Sequence, residues 1–99
     1  MNIGICANNR KDAQSYLELL IGEIKYKEVD YVIKNGGIWD QVKLKDGTYY
    51  RTFPANESSR GYRFDKVFVK KNVDKEILNR VIFPMIFSWD EKYPIIYFD

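Results

Sequence analysis

Histidine is absent from this 99-residue chain. That absence removes the commonest general base, most catalytic zinc sites and the Ser-His-Asp arrangement together. Cysteine occurs once, at Cys6, so the chain can form neither an internal disulfide nor a thiolate metal site on its own. With no histidine to activate it, and set in the apolar run "NIGICA", Cys6 reads as a small buried hydrophobe in a reducing compartment. Glycine is sparse and wrongly spaced for phosphate: neither the dinucleotide pattern of three spaced glycines nor the Gly-rich loop ending in Lys-Ser or Lys-Thr occurs. Asn35-Gly36-Gly37 is a turn signal only. Asn8 and Asn9 follow the first strand but lack the glycines that let a backbone wrap an anion, so they read as helix caps. The adjacent acids Asp90 and Glu91, after Trp89, read as a solvated loop rather than a catalytic pair. No cofactor and no metal is expected. Long apolar runs are missing as well, and the start "MNIGICANNRK" lacks the charged and apolar regions of a signal peptide. The expected compartment is therefore the cytoplasm, that of a host cell if the chain is viral, with no membrane partner.

What is present fits one globular domain over residues 1–99: 45% of residues are apolar and 30% charged. Eight tyrosines, six phenylalanines and two tryptophans are many for so short a chain. Most should serve the core and half-buried strand faces, and some are open to a partner. Charge is spread unevenly. Residues 41–75 carry nine Lys and Arg against four Asp and Glu, a net +5, which leaves −3 for the flanks. Such a segment suits phosphate groups or an acidic protein surface, although most charge runs are solvated faces.

"NIGICA" opens the chain as a short apolar strand. Ala13, Tyr16, Leu17, Leu20, Ile21 and Ile24 then recur at helical spacing, predicting a helix from about Arg10 to Tyr26 with Asn9 or Asn8 as its cap and Asp12 in its first turn. The middle, "VDYVIKNGGIWDQVKLKDGTYYRTF", is rich in β-branched and aromatic residues. Its "NGG" and Asp46-Gly47 turns predict an antiparallel hairpin or three-stranded meander that Pro54 ends. "ANESSRGYR" reads as a surface loop with unusual backbone geometry at Gly61. In "FDKVFVKK", the unbroken run Val67, Phe68, Val69 suits a strand covered on both faces. Asp74 caps the next helix, whose stripe is Ile77, Leu78, Val81, Ile82 and Met85 and which Pro84 should kink or end. "YPIIYFD" closes the chain as a strand. The fold class expected is α/β, with α+β as the variant: a mixed sheet with two helices and an antiparallel hairpin.

The succession "NIGICANNRKDAQSYLELLIGEI", "VKLKDGTYYRTFPANESSRGYRFDKVFV" and "EILNRVIFPMIFSWDEKYPIIYF" resembles the middle of the ATPase core of phage terminase large subunits and related helicase-like P-loop motors, over nearly the whole chain. In that family a strand and helix follow the nucleotide loop, and a hairpin carries an "NG" or "DG" turn. An Arg-Gly loop then leads to the second catalytic strand, and a helix with a proline precedes the next strand. The resemblance implies phage origin and this order of elements, but not the chemistry. No phosphate loop stands before Asn2. Where the family has the Asp that helps hold magnesium and the Glu that activates water, this chain has Lys70 and Lys71, which repel a metal and attract phosphate. The resemblance thus implies a degenerate shell without hydrolytic activity. A common α/β topology without shared ancestry would place the elements in the same order.

Two functions follow as expectations. The first is a small non-enzymatic binding protein, phage-encoded, acting as inhibitor or adaptor of a host protein or assembly through Tyr49, Tyr50, Arg51, Arg60, Tyr62 and Arg63. The second puts nucleic acid or a nucleotide on the basic segment 41–75, with Arg60, Arg63, Lys70 and Lys71 on phosphates and Tyr50 or Tyr62 on a base. An enzyme working through a carboxylate or tyrosine alone is the third reading. Self-association is open too, because "YPIIYFD" could leave a sheet edge free for a second copy.

Overall fold

The computed structural model describes residues 1–23, 26–86 and 94–99, with only the backbone of Tyr26. Its centre is β1 (Asn2–Ala7), whose residues after Asn2 are all buried. Alternation along this strand divides the core. Ile5 and Ala7 pack on one face with Ala13, Leu17, Ile21, Val42, Leu44 and Phe98, whereas Cys6 packs on the other with Phe53, Phe64, Val67, Val69, Val81, Ile82, Met85 and Ile86. The sheet is therefore covered on both sides of β1, as its nearly unbroken apolar sequence requires.

The first layer is helix α1 (Arg10–Ile21). Asn9 caps it by accepting the Asp12 backbone N–H at 2.8 Å. The helix is shorter than its apolar spacing predicts: after the last buried residue, Ile21, the Gly22 N–H closes on the Glu18 carbonyl at 2.9 Å and the chain turns. Tyr26 and Lys27 belong instead to a short 3₁₀ turn (Tyr26–Glu28). Ile24, expected on the helical face, lies outside the described residues, as do Trp89, Asp90 and Glu91.

The middle of the chain is the expected meander of β2 (Val29–Asn35), β3 (Ile38–Leu44) and β4 (Tyr49–Pro54). Asn35 pairs with Ile38, leaving Gly36 and Gly37 as a two-residue connection. Both have positive φ, 65° and 78°, the backbone that makes a tight hairpin follow the sheet's twist. At the second turn Asp46 accepts the Thr48 N–H at 2.8 Å. Two bulges interrupt the β2–β3 ladder. At one of them Ile33 faces Gln41 while Lys34 faces Trp39, so Asp40 is the extra residue. Asp40 is buried, accepts a hydrogen bond from Thr52 Oγ1 and lies 4.0 Å from Arg10 Nε. Gln14 Nε2 donates to the Asn35 carbonyl at 3.2 Å, tying α1 to the first hairpin turn.

β4 then runs parallel to β1, and β5 (Lys66–Lys70) pairs with β1 on its other side, also parallel. β6 (Ile95–Phe98) lies parallel to β5, which gives a mixed six-stranded sheet in the order β2-β3-β4-β1-β5-β6. Val67 and Val69 are buried against one layer, while Phe68 points to the other, 5.6 Å from the Tyr16 ring. Asp74 caps the second helical layer through the Glu76 N–H at 2.8 Å. That layer departs from the regular helix expected. A single α-turn, α2 (Lys75–Ile77), passes into a π-helical stretch (Leu78–Ile82), where the Phe83 N–H reaches back to Leu78, and Pro84 closes a 3₁₀ turn (Phe83–Met85). Pro84 has no N–H to continue an α-ladder, and the wide turn brings Val81, Ile82 and Met85 into the core together.

Candidate binding surface

The two helical layers do not cover the sheet equally. On β4, Tyr49, Arg51 and Phe53 point to the side of the 75–85 segment, and Tyr50 points to the α1 side, where it packs against the core. Register carries that parity across the meander. Tyr49 faces Lys43, which faces Tyr31; Arg51 faces Gln41, which faces Ile33. These six side chains form two rows on one face of β2-β3-β4. The 75–85 segment packs instead around Cys6, Phe53, Val67 and Val69. The face is consequently open: Tyr31 is 43% and Ile33 45% exposed, and the other four are half-buried.

Its polar groups hold one another in place. The Tyr49 hydroxyl donates to Gln41 Oε1. Arg51 lies over the ring of Tyr62, 4.6 Å from guanidinium carbon to centroid, and its terminal nitrogen donates to the Tyr62 hydroxyl at 3.1 Å. Tyr62 leans on Phe53, 5.8 Å away, so the core fixes the ring that holds the arginine. Arg51 Nε is buried and has no acceptor. Among the described residues no carboxylate comes within ion-pair distance of Arg51 or Lys43, and the two rows hold no acid.

The remaining basic candidates lie elsewhere and are mostly compensated. Arg60 contacts Glu57 at 2.6 Å, and Arg80 reaches the other oxygen of the same carboxylate at 3.1 Å. With Arg63, which bonds the Tyr62 carbonyl at 2.9 Å, they rim a depression of about 280 Å³ beside Pro84 and Met85. Lys70 pairs with Asp12 at 3.0 Å and Lys71 with Asp99 at 2.9 Å. The two lysines at the end of β5 are thus each paired with an acid from a distant part of the chain. Of the expected contact residues, the fold brings together Tyr49, Arg51 and Tyr62. It separates Tyr50 onto the opposite face, and Lys70 and Lys71 onto the far end of the parallel strands. Tyr31, Ile33, Gln41 and Lys43 complete the surface. Only the alternation within "DYVIK" and "DQVKL" hints at them, and the bulges obscure it.

Ionisation at the resolved groups moves away from reactivity. Burial pushes the Cys6 thiol up to about 12. The Tyr50 phenol is raised by burial and then by the Asp46 charge, and Tyr16 by burial and then by Glu23. Asp46 is held below the usual carboxylate range by the Thr48 backbone N–H. Among the described residues no three potential ligands converge on a metal position, and no helix is long and apolar enough to cross a membrane. No family model, curated protein or solved structure matches the chain.

Proposed function

We propose that this chain is a small non-enzymatic binding protein, phage-encoded, that acts as inhibitor or adaptor by docking the open face of β2-β3-β4 onto an acidic protein surface. One observation carries the reading: tyrosines and uncompensated cations share a sheet face that, among the described residues, no helix covers and no carboxylate enters. Tyrosine and arginine are the side chains that most often dominate protein interfaces. Here Tyr49, Arg51 and Tyr62 are already fixed by one another and by Gln41, so little rotamer freedom remains to be lost on docking. Fixation also weighs against nucleic acid. The Tyr62 ring that would stack on a base is occupied by the Arg51 guanidinium.

Affinity capture from nuclease-treated bacterial lysate tests the proposal. A specific protein should be retained by the unmodified chain and by Lys70→Ala, and lost with Arg51→Ala or Lys43→Ala. Recovery of no specific protein, or capture indifferent to Arg51 and Lys43, removes this surface from consideration. A protein retained from a parallel untreated lysate but not from the nuclease-treated one transfers the surface to nucleic acid.

A further inference from the structure

β2 is an edge of the sheet, with β3 on one side and no described strand on the other. Alternate N–H and C=O groups along its seven residues therefore point outward. Its sequence around Val32 has a symmetry that only a partner strand would use. When the segment Asp30-Tyr31-Val32-Ile33-Lys34 is laid antiparallel to itself about Val32, Tyr31 falls opposite Ile33 and Val32 opposite itself, and Asp30, the extra residue of the first β2–β3 bulge, comes beside Lys34. Every charged position meets its opposite and every apolar position meets an apolar one. Two of the large exposed apolar side chains of the molecule, Tyr31 and Ile33, are the ones brought into register.

We propose that two copies of this chain associate through β2, antiparallel and centred on Val32, about a two-fold axis perpendicular to the sheet. Such a contact is isologous, so both Asp30-Lys34 pairings form at once, and the two six-stranded sheets become one. A perpendicular axis keeps the same face of both copies on the same side. The two open surfaces then lie edge to edge, and Tyr31 and Ile33 shield each other at the seam. Dimerisation does not depend on what the open face binds, and each can fail without the other.

Sedimentation equilibrium of the full chain across a wide concentration series measures the association. The expected result is a mass approaching twice 11.8 kDa at high concentration. Asp30→Lys and Lys34→Asp, each placing like charges opposite one another twice, should weaken the dimer roughly tenfold or more. The double variant Asp30→Lys/Lys34→Asp, with complementarity restored in reverse, should recover it. Both positions are exposed, and circular dichroism confirms that each variant is folded. A chain that stays monomeric throughout the series overturns the proposal. So does a dimer indifferent to both single substitutions, which would place the contact at another surface such as the β6 edge, or a double variant no better than the singles.

Discussion

Gly4→Ala is the smallest change that should damage the centre of this fold. A Cβ at Gly4 would stand 2.8 Å from Phe53 Cε1 and 2.9 Å from two ring carbons of Phe64, nearer than carbon atoms approach without displacement. The two rings are stacked, 5.4 Å between centroids, and β1 is held between β4 and β5 by ladders on both sides. Neither the strand nor the rings can withdraw independently. Overpacking of this kind costs about 1–3 kcal/mol. Replacing glycine within a strand returns about 0.5–1 kcal/mol through the smaller entropy of the unfolded chain. Taking the middle of each range, the net expectation is a loss of about 1 kcal/mol, or a fall of about 1 M in the urea midpoint at an m-value of roughly 1–1.5 kcal/mol/M. Equilibrium unfolding followed by circular dichroism reads this directly. Phe53→Leu should partly relieve the crowding, so the double variant should be more stable than the sum of the single losses predicts. A Gly4→Ala protein as stable as the unmodified chain would refute the close-packing argument, and additive losses would show that Phe53 is not the obstacle.

Three further outcomes follow from the same contacts. Because burial raises the Cys6 thiol from 9.0 to about 12, both states keep the proton below pH 9, and above it only the unfolded chain releases it. This contribution to stability should fall by about 1.4 kcal/mol per pH unit between about 9 and 12. Cys6→Ala should flatten the profile there, and identical slopes in the two proteins would contradict the burial. Asn9→Ala should cost about 1 kcal/mol by removing the cap of α1. In a thermal melt that is a drop of roughly 4–8 °C, and an unchanged midpoint would mean the cap contributes nothing. Removing Lys70 and Lys71 together with their partner carboxylates, as Lys70→Ala, Lys71→Ala, Asp12→Asn and Asp99→Asn, should leave retention on an anionic column nearly unchanged, because each pair contributes no net charge. Early elution of that variant, with Arg51→Ala unaffected, would put the phosphate-seeking charge at the strand ends after all.

Features set by hydrogen bonds between near neighbours were legible in the sequence. The Asn9 and Asp74 caps, the Asp46-Gly47 turn and the stop at Pro84 each depend on residues within a few positions, and each stands where the residue types placed it. The apolar strands were legible too, because an unbroken run such as Val67 to Val69 needs two covered faces. Less legible was anything that depends on parity or distance. Tyr49 and Tyr50 are adjacent and chemically alike, yet one joins the open face and the other the α1 side. Lys70 and Lys71 formed a cationic pair on paper. Asp12 and Asp99 cancel them only once β1, β5 and β6 lie side by side. The π-helical stretch left no sequence signal apart from the proline that follows it.

The parallel pairing of β1 has a consequence for how the chain acquires its shape. Its neighbours are Tyr49–Pro54 and Lys66–Lys70, so β1, made before either partner, must wait for Tyr49 to meet Asn2 and for Lys66 to meet Ile3. Until then the β2–β3 hairpin can close locally, but the innermost strand has no ladder at all. Closing such wide loops ahead of any reward slows folding, and topologies of this kind are expected to fold in milliseconds or longer rather than microseconds. During synthesis, "NIGICA" is a nascent apolar segment without a partner, and the step that ends its exposure is the emergence of β5.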